Sequence, residues 1–152
     1  MHYYFVTPAE FERMVGDNAF LEHAEVFGNR YGTSHGVVDD LLARDRRVIF
    51  DIDWQGARAI KRASPEAIGI FLLPPSRAEL EQRLKDRRQD KPDVIARRMQ
   101  AAMDEMRHYG EFDYVVVNDD FDQALRDLEF IVRGNPEARR KVTLNVEQLL
   151  KN

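Results

Sequence analysis

Three short, continuous apolar runs separated by helical patterns constrain this chain more than any other feature of its sequence. They are Val48-Ile49-Phe50-Asp51-Ile52-Asp53, Ile68-Gly69-Ile70-Phe71-Leu72-Leu73 and Tyr114-Val115-Val116-Val117. An unbroken apolar run, unlike an alternating one, predicts a strand covered on both faces. One helix is predicted from about Trp54 to Ala63. A second starts at the capping box Ser76-Arg77-Ala78-Glu79 and continues through Leu80 and Leu84. A third carries Ile95, Met99, Ala102 and Met106 on one face. A fourth carries Ala124, Leu125, Leu128 and Val132 and stops at Gly134-Asn135-Pro136. Strands alternating with helices imply an α/β fold with a parallel sheet and flanking helices.

The front of the chain follows other rules. Thr7-Pro8-Ala9-Glu10 predicts a helix start, with Val6 and Phe11 spaced as a hydrophobic staple and Gly16-Asp17-Asn18 as the stop. Phe20 to Phe27 has strand character and Gly28-Asn29 reads as a turn. Ser34 is positioned to cap a helix carrying Val37, Val38, Leu41 and Leu42. No repeat or low-complexity tract interrupts the chain, and residues 137–152 read as a tail, in part helical.

Charge and composition limit the function. The 152 residues are 43% hydrophobic and 33% charged, as in soluble globular domains. There is no Cys, hence no disulfide and no thiolate chemistry. The apolar runs are too short to span a membrane, and no signal peptide is legible. The expected location is cytoplasmic. A net charge of −4 argues against general nucleic-acid binding. Yet from Arg83 to Arg98 seven Lys/Arg stand against three Asp, a segment of +4 on a remainder of −8. That reads either as a solvated helix face or as a site for a small anion. The four His show no metal-ligand spacing.

In open α/β sheets ligands bind beyond the carboxyl ends of the strands. The first run ends in Asp51 and Asp53, two apart and so on one face of a strand. Such a pair suits Mg²⁺, directly or through water, or hydrogen bonds from a nucleotide, although Asp53 alone would read as a helix cap. Asn118, after the third run, suits a ligand amide or base edge and equally a turn.

Taken in order, Phe20-Leu21-Glu22-His23-Ala24, Gly28 to Ser34, Asp51-Ile52-Asp53-Trp54-Gln55-Gly56, Leu73-Pro74-Pro75-Ser76, Arg83-Leu84 through Arg98, and Val117-Asn118-Asp119-Asp120 resemble the successive motifs of guanylate kinases. The resemblance runs from about His2 to Arg133 and is of the bacterial type. It implies a P-loop NTPase-like fold over residues 1–136, with a GMP-binding insert at 3–34, a lid at 82–98 and a tail at 137–152. The implied reaction moves the γ-phosphoryl group of ATP to GMP, with Mg²⁺ as cofactor and GMP and ATP as the partners. By resemblance Tyr3, Glu22, Tyr31 and Thr33 bind GMP, Glu22 reading guanine, with Asp51, Asp53 and Arg98 also on the substrate side. Arg87 and Arg98 embrace the transferring phosphoryl group, with Asp51 and Asp53 beside them in catalysis. Arg87, Asn118 and Asp119 face ATP. Asp51 is the candidate for Mg²⁺, through its water shell. Asp86 and Arg88 depart from the glycines often found beside the lid arginine, and Lys91-Pro92 from a more acidic pair.

No G-x-x-x-x-G-K-[ST] phosphate loop occurs in the sequence. In the family the strand leading into that loop lies between the runs at 48–53 and 68–73. We therefore expect a truncated frame, an alternative start or an expressed fragment, with two strand edges open to self-association or a rearranged sheet. Activity of the chain by itself stays open. The alternative function is a non-catalytic module that binds GMP or a protein, as relatives in scaffold proteins do. A nucleic-acid role for the basic segment is opposed by the net charge and the lack of interleaved aromatics.

Overall fold

The computed structural model describes residues 4–26, 28–86, 91–140 and 146–150. They form two compact units, one ending at Ala67 and the other starting at Ile68.

In the first unit α1 spans Pro8–Gly16. The Thr7 hydroxyl oxygen accepts the Glu10 N–H at 3.2 Å, and Pro8 sits where no donor is needed. The capping box is only half formed, because the Glu10 carboxylate turns to Arg13. Strand β1 (Phe20–Val26) and strand β2 (Asn29–Ser34) form an antiparallel hairpin. The sequence pattern missed β2, whose mostly polar residues lack an apolar stripe. Gly28 takes φ +76° in the connection, a conformation that costs a glycine little. Helix α2 covers His35–Ala43 with Ser34 at its N-cap, though the Ser34 side chain makes no capping bond. Helix α3 covers Trp54–Ala63, as the pattern predicts. It packs on β1, and α2 packs on β2. Among the described residues, Phe11, Phe20, Val38 and Ile60 are the buried apolar side chains of this unit.

The run at 48–53 is a correction to the sequence reading. It forms no strand among the described residues, and Ile49 is 81% exposed. A strand needs a neighbouring ladder for its N–H and C=O groups. The sheets among the described residues are β1 with β2 and a separate pair further on, and this run is paired with neither.

In the second unit β3 (Ile70–Leu73) and β4 (Tyr114–Val117) pair in parallel, from Ile70 opposite Tyr114 to Leu73 opposite Val117. Both faces carry packing, although Leu72 is left 50% exposed. Phe71, Leu73 and Val117 pack with Met103 and Met106 of α5 (Pro92–Met106) and with Val146 and Leu149 of α7 (Val146–Leu150). On the other face Val116, Ile70 and Tyr114 pack with Ala124, Leu128 and Ile131 of α6 (Phe121–Val132). Helix α5 buries Met99, Met103 and Met106, so the buried stripe passes through Met103, while Ala102 is only half-buried. Helix α4 (Arg77–Asp86) starts where the Ser76 hydroxyl accepts the Glu79 N–H at 3.1 Å. Helix α6 is capped by Asp120, whose carboxylate accepts the Gln123 N–H at 2.8 Å, and is followed by Gly134 at φ +79°. No described helix is long and apolar enough to cross a membrane.

The hairpin is packed tightly at one point. A Cβ on Gly32 would stand 2.7 Å from the ring of Phe20, which is itself stacked on Phe11 at 4.8 Å between centroids. Overpacking of this kind costs about 1–3 kcal/mol. We predict that Gly32→Ala lowers the unfolding free energy from urea melts by that amount, while Gly36→Ala, where the nearest atom is 3.9 Å away, does not.

Candidate functional site

The first group of candidate residues lies on the hairpin. Register sets Glu22 opposite Thr33 and Ala24 opposite Tyr31, so Glu22, Tyr31 and Thr33 share one face. A bulge between Phe20 and Glu22 makes this possible. Without it Phe20 and Glu22, two apart, would point the same way. The extra residue turns Phe20 toward Gly32, His23 and Phe11 and leaves Glu22 on the opposite face. The Thr33 hydroxyl donates to Glu22 Oε1 at 2.7 Å, and both side chains are half-buried. That bond fixes the carboxylate and leaves Oε2 open, so the group can accept two adjacent donors from a ligand.

Asp51 and Asp53 belong to the same unit but not to a strand. Asp53 is the N-cap of α3, its Oδ1 accepting the Gly56 N–H at 2.8 Å. Asp51 is exposed and forms no hydrogen bond or ion pair among the described residues. No group of three or more His, Asp or Glu suited to a metal occurs among the described residues. They therefore build no metal cage of their own.

The second group lies beyond the carboxyl ends of β3 and β4. The Asn118 N–H donates to the Leu73 carbonyl at 2.7 Å, extending the ladder by one step. The Asn118 side chain forms no hydrogen bond among the described residues and borders a cavity of about 100 Å³ with Leu72, Phe121 and Leu125. Arg83 of α4 donates to the Asn118 carbonyl at 3.0 Å and to Glu79 at 2.8 Å. Asp119 is engaged by Arg140, at 2.5 Å and 2.9 Å. Arg98 is half-buried on α5. Much of the basic segment is tied up in surface pairs one helical turn apart, Arg83 with Glu79, Lys85 with Glu81 and Arg97 with Asp93. Such pairs contribute little stability. Tyr3 and Arg87, and with Arg87 the middle of the expected lid, lie outside the described residues.

The guanylate kinase family model matches residues 1–135. The chain belongs to the guanylate kinase family. It is 56% identical over 131 residues to a guanylate kinase of Shewanella denitrificans, covering 86% of this chain and 63% of that one. It is 55% identical over 133 residues to a guanylate kinase of Escherichia coli K12, covering 88% and 64%. The chain thus spans a little under two thirds of the curated relatives it matches. The crystal structure of a guanylate kinase from Anaplasma phagocytophilum superposes with a TM-score of 0.69 at 32% identity, over 97% of this chain and 72% of that one. The α/β fold expected from the resemblance is therefore the fold observed.

Arg83 and Arg140 are the site-adjacent residues that sequence reasoning missed. Arg83 was legible as one charge of a basic run and as the first residue of a family-like motif, without a role of its own. Arg140 lies in the tail, and nothing in its local sequence points back to Asp119 or Asp127.

The Arg140 guanidinium, and then the Asp120 N–H, hold the Asp119 carboxyl down from the ordinary 3.8 to about 2. A carboxylate depressed on folding stabilises the fold above its unfolded pKa and loses that contribution as pH falls through the folded one. We predict that wild type exceeds Asp119→Asn in stability by a constant margin above about pH 5. The margin should fall from about pH 5 to pH 2 in thermal melts, and shrink with added salt because Asp119 is exposed.

Proposed function

We propose that this chain transfers the γ-phosphoryl group of ATP to GMP, giving ADP and GDP. The observation that carries the reading is the Glu22 carboxylate, oriented by Thr33 on the hairpin face it shares with Tyr31, in a chain 56% identical to guanylate kinases. Guanine offers N1–H and the 2-amino group as adjacent donors, and a carboxylate accepts both. Adenine lacks the 2-amino group and has an unprotonated N1, so it would leave Glu22 without partners.

In this reading Tyr31 and Tyr3 hold the GMP phosphate, and Asp51 and Asp53 lie on the substrate side. Asn118 and Asp119 line the ATP side. Phosphoryl transfer spreads negative charge over the moving group and leaves little covalent work for the protein. Arg87 and Arg98 are therefore assigned to stabilise that charge, and no nucleophilic side chain is needed. Mg²⁺ entering with ATP would screen the phosphate charges, with Asp51 as its contact through water. The departures at Asp86 and Arg88 bear on how freely the lid moves and leave the arginines' role unchanged.

The test is calorimetric titration of GMP and AMP, followed by an ADP-release assay with GMP and Mg-ATP. Loss of two charge-assisted hydrogen bonds, at roughly 1.5 kcal/mol each, amounts to about 100-fold. GMP should bind about that much more tightly than AMP, and Glu22→Gln should erase the difference. Equal affinity for GMP and AMP in wild type would sink the guanine pocket. GMP binding without ADP release would support the binding-module alternative instead.

A further inference from the structure

Arg140 makes more contacts than neutralising one acid requires. Its Nε donates to Asp127 Oδ2 at 2.8 Å, and its backbone N–H donates to Asp127 Oδ1 at 3.0 Å. Its Nη1 and Nη2 reach Asp119 at 2.9 Å and 2.5 Å, and Nη2 also donates to the Val117 carbonyl at 2.7 Å. Asp127 is buried on α6, whereas Asp119 and Val117 flank Asn118 at the end of β4. The Asn118 carbonyl is held from elsewhere, by Arg83. Two guanidinium groups thus grip consecutive carbonyls and the Asp119 side chain, and the Asn118 amide stays available over the small cavity. Only a rigid, planar five-donor fork meets acceptors in this arrangement, and a lysine ammonium does not. Arg140 lies beyond residue 135, where the family match ends.

We propose that Arg140 is a positioning residue for the nucleotide side of the site, fixing the Val117–Asp119 turn so that Asn118 meets the base of ATP. This rests on the proposed function, which puts ATP at that turn. It adds that the C-terminal segment sets affinity for the adenine nucleotide and leaves GMP affinity alone.

The test uses the full chain and two variants. Arg140→Lys keeps a charge beside Asp127 but cannot span all the acceptors. Asp119→Asn weakens the turn contact and leaves Asp127 paired, so it carries the test if Arg140→Lys does not fold. Calorimetric affinities for ADP and GMP are measured separately, with urea melts in parallel. Loss of hydrogen bonds to a charged group predicts about tenfold weaker ADP binding in Arg140→Lys. GMP affinity should stay within about twofold, since no GMP contact is altered. Asp119→Asn should shift ADP affinity in the same direction by less. The proposal is overturned if ADP affinity is unchanged in the folded variants, or if ADP and GMP weaken together in step with stability. Wild type that binds GMP but not ADP overturns the ATP side of the proposed function and this inference with it. Wild type that binds neither overturns the proposed function as a whole.

Discussion

A buried carboxylate governs the second unit. The Asp127 side chain is 3% exposed, and an unpaired charge at such a depth is not tolerated. Arg140 supplies the counter-charge through both its side chain and its backbone N–H. To do so the chain must return past α6 after Gly134. The same return carries Val146 and Leu149 into the apolar layer against Phe71 and Leu73. Through Asp119 and Val117 the same guanidinium also holds the end of β4. Removing Arg140 would leave Asp127 buried and charged, which is why the contact constrains more than its own strength suggests.

The first unit depends on shape instead of charge. Its hairpin turns on the bulge after Phe20, which separates a packing face from a polar face within two residues. The packing face holds Phe20 over Gly32. The polar face holds Glu22 and Thr33. Local chain geometry here decides which residues are available to a ligand.

Much of this was legible in the sequence because local signals and tertiary context agree. The caps at Thr7, Ser76 and Asp53 name their helices, and β4 lies where its apolar run stands. The strand at 48–53 failed because composition specifies a covered segment but not the ladder that must cover it. β2 was missed because its strand signal comes from pairing, not from an apolar stripe. Glu22, Tyr31 and Thr33 could be picked out by resemblance, and the register explains why they share a face. Arg140 could not, since its partners lie 13 and 21 residues away with no periodicity linking them.

The Thr33–Glu22 bond has an entropic consequence. A free glutamate samples many rotamers, and ordering it takes about 1.5–2 kcal/mol. Here a neighbouring hydroxyl, contributed by the paired strand, has ordered it during folding. A ligand arriving at that carboxylate meets a fixed acceptor and need not freeze a mobile one. On the proposed reading, part of the ordering that recognition needs is completed before the ligand arrives, and the hairpin register rather than the ligand bears that cost.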